Sequence, residues 1–276
     1  MSPATVVKRC ESEASSLPSM NSLGSDLLQA SRGQCWRELA RPFLGVAAFA
    51  LAAYARLWWV TPFIVFLIFV AVVTVTHDVA HGALGLGPRA TEWALFAMGA
   101  VLVESGHAYR ISHARHHSVF PGPDDPEGDP ARMSFWAAVI HGPVFLHRLW
   151  LWAWRRNPGQ RRWLALEAGW AVAVVAAGVA FLPVTPAVLL YAGLAIMGSW
   201  VYPLLTVHLP HRNYGDTPLT QTHTLRGWLL PKIFLELTYH LEHHLYPQVP
   251  SHNLPELSRR LDPILLAAGV RPRRVL

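Results

Sequence analysis

The chain has 276 residues, 52% of them hydrophobic and only 14% charged, against about 25% charged in an average soluble domain. That balance excludes an ordinary soluble enzyme and points to a protein solvated by lipid. The formal net charge of +6 does not form a basic run interleaved with surface aromatics. It therefore indicates no nucleic-acid partner and fits the cation bias of cytosolic membrane loops.

Residues 1–38 read as a flexible or interfacial cytosolic tail, because the first 34 are polar, Ser-rich and without the continuous apolar core of a secretory signal. Cys10 and Cys35 are the only cysteines, too few for a disulfide framework or a zinc knuckle, and read as reduced thiols. From Pro42 to Thr76 the chain is apolar. A crossing needs roughly 20 apolar residues, so two closely joined spans are expected over about 39–56 and 60–79, with Arg56, Trp58 and Trp59 at the interface between them. The alternative is one long kinked helix, which would put the first histidine pair on the other side of the membrane.

That pair is His77 and His81, in His77-Asp78-Val79-Ala80-His81, where i and i+4 share a helix face. Gly82, Gly85, Gly87 and Pro88 then break the helix. The run 91–104 is too short to cross and suits a half-buried or re-entrant helix, which keeps the next box on the same side. That box is His113-Ala114-Arg115-His116-His117, with three imidazoles leaving one side of a helix. His107, just before it, stands off this face and is a lesser candidate. The loop Pro121 to Pro130 carries Asp124, Asp125, Glu127 and Asp129, which could accept hydrogen bonds from metal-bound rings or simply be solvated.

Residues 133–154 read as an amphipathic helix in the headgroup region, with His141 and His147 structural because neither has a partner at chelating spacing. Two more spans are expected over 163–182 and 187–207, with Glu167 near the start of the first, where it can reach the interface. Four crossings bring every histidine box to one face, and with the N-terminus cytosolic every Lys and Arg except Arg56 falls on that side. Beyond the fourth span, His208 and His211 form another i, i+3 pair. His211 is the favoured additional donor, with His208 and Asn213 as water-holding or outer groups. The last box is His240-Leu241-Glu242-His243-His244, and residues 263–276 read as a C-terminal tail. Clustered neutral imidazoles are costly to bury unless a cation or hydrogen-bond partners satisfy them, so the boxes read as one metal centre assembled from distant segments. Eight or nine such donors exceed what one tetrahedral zinc uses, which implies two metals.

His77-Asp78-x-x-His81-Gly82, His113-x-x-His116-His117 and His240-x-Glu242-His243-His244-Leu245-Tyr246-Pro247 resemble the boxes of the membrane fatty acid desaturase superfamily, which includes acyl-lipid desaturases and carotenoid hydroxylases and ketolases. The resemblance runs from about residue 40 to 262. It implies an all-α integral membrane domain over residues 39–262, with four spans, interfacial or re-entrant helices and a cytosolic histidine-rich cap holding two non-haem irons. It makes His77, His81, His113, His116, His117, His240, His243 and His244 iron ligands; the residues themselves add His211 as a candidate ninth and Asp78, His107, His208, Asn213 and Glu242 as candidate outer groups. The implied reaction uses O2 and two electrons to desaturate an acyl lipid, or alternatively to hydroxylate or ketolate a carotenoid or other lipid.

The tail Leu245 to Leu254 is similar to that of bacterial acyl-lipid desaturases, whereas Leu209-Pro210-His211-Arg212 resembles a segment of carotenoid ketolases. No haem domain, cluster-binding cysteine set or dinucleotide loop is present, so electrons are expected from a separate ferredoxin or cytochrome-type carrier, for which Lys232, Arg259 and Arg260 could offer a basic face. Two other classes fit less well. A metal transporter would place its histidines at mid-membrane, and a membrane zinc hydrolase would carry His-Glu-x-x-His, which is absent.

Overall fold

The computed structural model describes residues 17–276, and these are predominantly helical. Cys10 and residues 1–16 of the expected tail lie outside the described residues. The first long helix, α1, runs Arg32–Tyr54. It starts where Ser31 and Gln34 form a reciprocal cap, each side chain bonding the other's backbone, at 3.2 and 2.7 Å. It ends where Arg56 adopts the left-handed conformation, φ 59. A short 3-10 turn over Trp58–Val60 follows, and α2 runs Thr61–Ala80 with Pro62 in its first turn, where a missing N–H is harmless. The chain therefore reverses between two packed helices, and the single kinked helix is excluded.

Among the described residues, three helical segments are long and apolar enough to cross a membrane: Trp58–Ala80, Pro158–Phe181 and Ala187–His211. The expected span at 39–56 is not among them, because α1 carries Arg37, Glu38 and Arg41 in the half that would have to enter lipid. Of the three, α2 is the central one, apolar all round and buried at nearly every position from Ile68 to Val79. Helix α3 (Pro88–Leu102) and helix α4 (Gly106–Val119) pack on it. A Cβ on Gly106 would run into the carbonyl of Leu95, so glycine sets the closest approach of α3 and α4. Helix α5 (Phe135–Arg156) lies across α4, and α6 (Arg161–Phe181) pairs with α7 (Ala187–Ser199). The outer face of α6 is apolar yet exposed at Val172, Val179 and Phe181, the pattern of a surface that meets lipid rather than water.

After α7 the chain widens into a π-helical turn over Pro203–His208. Pro203 and Pro210 supply no N–H to a regular ladder there, and such turns recur at functional sites. Helix α8 (His240–Leu245) and helix α9 (Leu254–Ala267) complete the fold. A second apolar core joins Leu241, Val249, Leu254, Leu257 and Leu261 to Leu23 and Leu27 from before α1.

Residues 20–38 are thus not the loose tail expected. Asn253 donates to the Leu27 carbonyl at 3.0 Å, Arg260 pairs with Asp26 at 2.7 Å, and Tyr246 donates to the Pro18 carbonyl at 2.7 Å. The buried face of Leu23 and Leu27 is the physical reason. At the other end, α9 reaches Ala267, and Arg273–Arg274 pairs in parallel with Leu225–Arg226, so residues 263–276 are ordered as well.

Candidate metal centre

Four segments deliver the nine candidate ligands. The C-terminal end of α2 brings His77 and His81, α4 brings His113, His116 and His117, the turn after α7 ends on His211, and α8 brings His240, His243 and His244. They gather into two adjoining groups. In the first, donor atoms of His77, His81, His113 and His243 lie within 4.8 Å of one another; in the second, those of His116, His211 and His244 do. His117 closes the first, its Nε2 2.8 Å from that of His243 and 3.2 Å from that of His113. His240 closes the second, its Nε2 3.1 Å from that of His211. The groups meet where His117 and His244 stack, ring centres 4.3 Å apart.

The outer edges of several rings decide what the inner edges present. His113 donates through Nδ1 to Glu127 at 3.0 Å, His116 to Asp125 at 2.7 Å, and His211 to the Gln221 carbonyl at 3.0 Å. A ring that donates from Nδ1 exposes a lone pair at Nε2. The Nε2 atoms of His116 and His211 lie 3.2 Å apart, so two lone pairs face each other without a proton between them. His81 Nε2 and His244 Nε2 are buried with no hydrogen-bond partner at all. Facing lone pairs and orphaned nitrogens are unfavourable in a protein interior and are satisfied together by a cation. The donor set therefore fits a metal at each group, and imidazole suits iron or zinc.

Burial, followed by the neighbouring rings, holds His113, His117, His240, His243 and His244 well below the ordinary imidazole range, and brings His81 down to about 3. They are neutral, the form that binds metal. Glu127 is pushed up to about 7 by burial, against the pull of His116 and the Ser112 hydroxyl.

The outer groups were less legible. Asp78 does bind a candidate ligand, His77 Nδ1, at 3.3 Å, and it also accepts from the backbone and hydroxyl of Ser251 at 3.1 and 2.6 Å, tying the first box to the loop after the last. Of the four loop acids, Asp125 and Glu127 reach the rings, while Asp124 faces Arg115 at 3.9 Å and Asp129 faces Arg148 at 3.2 Å. Glu242 is buried away from the rings, hydrogen-bonded to Thr224 and Ser258. At about 100° per residue it sits on the opposite side of α8 from His240. His107 donates to Glu167 at 2.7 Å, meets Glu92 at 3.2 Å and stacks on Trp163, away from both groups. Glu167 is correspondingly buried at 2% exposure rather than at an interface. His208 donates to the Pro130 carbonyl at 2.9 Å, and Asn213 is an exposed turn residue with φ 60. The cations expected to face an electron donor are each matched in the chain, Lys232 by Glu236 and Arg259 and Arg260 by Glu256.

Sequence reading did not single out Tyr109, which stacks on His113 at 4.8 Å, or the Gln221 carbonyl behind His211. A backbone acceptor leaves no trace in composition.

Beside the first group, a cavity of about 120 Å³ touches His77, His113 and His240 and is otherwise mostly apolar. A larger one, about 290 Å³, lies between α2, α4, α5 and α6, and the two share Phe69, Val73, Tyr109 and Tyr202 as a common wall.

The chain is similar to the chloroplastic omega-3 fatty acid desaturase of Sesamum indicum, 23% identical over 87% of this chain and 66% of that protein, so it spans slightly less than two thirds of that relative's length. It is 29% identical to a beta-carotene ketolase of a Paracoccus species over 80% of this chain and 85% of the ketolase. It is 26% identical to the dihydrorhizobitoxine desaturase of Bradyrhizobium elkanii over 77% of this chain and 70% of that protein. The sequence profile described as Fatty acid desaturase matches residues 56–275, a stretch that contains every candidate ligand, and the chain belongs to that family.

Proposed function

We propose that this chain is a membrane di-iron, O2-dependent oxidoreductase that introduces a double bond into the hydrocarbon chain of an acyl lipid. The observation that carries the reading is the pair of adjoining buried imidazole groups opening onto an apolar cavity. His77, His81, His113, His117 and His243 would hold one iron and His116, His211, His240 and His244 the other. When bound, the irons supply the capacity to use O2 and two electrons against an unactivated C–H bond. For desaturation, a –CH2–CH2– unit, O2, two electrons and two protons give –CH=CH– and two waters. The protein's own part is to hold the rings neutral and aimed, through Glu127, Asp125 and Asp78, and to keep the reacting carbons in a dry apolar channel.

In this reading residues 39–262 form the catalytic body and cross the membrane four times, over about 39–56, 60–79, 163–182 and 187–207. Both termini and the histidine groups lie on the cytosolic side, which the cations at Arg155, Arg156, Arg161 and Arg162 support. A separate ferredoxin or cytochrome-type carrier delivers the electrons. One observation favours a second reading, oxygenation of a carotenoid ring: the Paracoccus ketolase has the higher identity to this chain, and the match extends over 85% of its length.

Expression in hosts that make carotenoids, or only phospholipids, followed by lipid mass spectrometry tests both. Loss of two hydrogens from an acyl chain supports desaturation; an added oxygen on a carotenoid selects the second reading. No O2-dependent change in either host, or purified protein without two equivalents of iron, overturns the proposal.

A further inference from the structure

The larger cavity is lined mainly by apolar side chains, and at about 290 Å³ it has roughly twice the volume of an apolar cavity that accepts a benzene ring, about 150 Å³. Its few polar groups are mostly committed. Ser105 donates to Glu167, Glu167 accepts from His107 at 2.7 Å, and Ser199 donates to the Ala195 carbonyl at 2.9 Å. Trp150 donates to the Leu164 carbonyl at 3.4 Å, and His147 is exposed. The Tyr109 and Tyr202 hydroxyls bond each other, and two groups are left over. The Thr76 hydroxyl is buried with no partner, and among the described residues the carboxyl group of Glu104 has neither a hydrogen bond nor an ion pair.

Glu104 is also unusually placed. It follows Val103, whose φ of 60 puts a β-branched residue in the left-handed region. That conformation is costly and persists only where the surroundings impose it. Burial raises Glu104 to about 8, so the carboxyl group keeps its proton and is a hydrogen-bond donor. Glu104 is half-buried and lines a mostly apolar cavity, where an unpaired donor is satisfied by water or by a ligand.

We propose that Glu104 is a specificity-determining residue which binds a hydroxyl or keto oxygen on the part of the substrate that extends past Phe69, Tyr109 and Tyr202 into the larger cavity. The preferred substrate is then an oxygenated lipid, one already acted on by a hydroxylating or ketone-forming reaction, and not a plain hydrocarbon chain. The inference rests on the lipid-oxidising reading above. Its readout is binding, so it can fail while iron loading and lipid oxidation succeed.

Purified full-length protein in lipid nanodiscs is titrated with two probe pairs: methyl hexadecanoate and its chain-terminal hydroxy derivative, and β-carotene and its dihydroxylated form zeaxanthin. Retained probe is measured by mass spectrometry. The hydroxylated member of one pair binds about three- to tenfold more tightly, as one neutral hydrogen bond allows, and which pair responds tells whether the oxygen sits on an acyl chain or on a ring. Glu104→Leu removes that preference and leaves the plain probe bound, Glu104→Gln retains most of it, and the Tm of Glu104→Leu is equal to or above that of the wild type. Equal binding within both pairs, no binding of any probe, a preference that survives Glu104→Leu, or a lowered Tm in that variant would overturn the proposal, the last by giving Glu104 a structural role.

Discussion

Helices α4 and α8 each contribute three histidines at identical spacing, yet they hold them differently. On α4, His113 and His116 are braced from behind by Glu127 and Asp125. On α8, His243 Nδ1 and His244 Nε2 are buried without a partner. On α4 two of the three rings are aimed by carboxylates; on α8 His240 is held by the Leu237 carbonyl, while His243 and His244 each keep an unmatched nitrogen. One half of the centre is a preformed platform and the other half is completed on loading.

The sharpest break in that comparison comes from deleting a donor. His243→Ala removes a ring that stands 2.8 Å from both His77 and His117, and is expected to abolish lipid oxidation and the bound iron of the first group, as elemental analysis would show. Next, stripping metal with a chelator should loosen α8 far more than α4, read as faster amide exchange at Leu241 to Leu245 than at His113 to His117; equal loosening would remove the distinction. Asp125→Asn weakens the brace behind His116 and should lower metal affinity about 10- to 100-fold, the usual cost of losing a ligand's outer partner.

Acid comes next. Burial holds His113, His117, His240, His243 and His244 below the ordinary imidazole range when folded, and His81 at about 3, so the unfolded chain takes up protons first. Stability and metal retention are therefore full above the ordinary imidazole pKa and fall as pH drops through 6.5 toward 3, measurable as a falling Tm and released iron. The smallest effect is Ser251→Ala. It removes one of the hydrogen bonds that anchor Asp78 and leaves the backbone one, for a loss of about 1 kcal/mol in thermal stability with the iron content kept.

How much of this could be read beforehand follows from distance along the chain. The clustering of the candidate ligands was legible because i, i+3 and i+4 are neighbours on a helix whatever it packs against. The braces were half legible: the acidic loop was visible, but which of its four carboxylates turns inward depends on how the loop folds. Glu242 and His107 lie beside ligands in sequence and away from them in space, since helix rotation carries one to the opposite face and Glu167 captures the other. The docked segment from Met20 to Leu28 was illegible because its apolar partners on α9 are more than two hundred residues away.

That docking has a consequence for biosynthesis. Asp26 grips Arg260, and the Leu27 carbonyl accepts from Asn253, so these residues gain their shelter only once the segment more than two hundred residues later has been made. The α8 donors emerge in the same final stretch. Both histidine groups therefore need segments from His77 to His244 in place together, and a chain cut before residue 240 would present the α4 rings without those of α8.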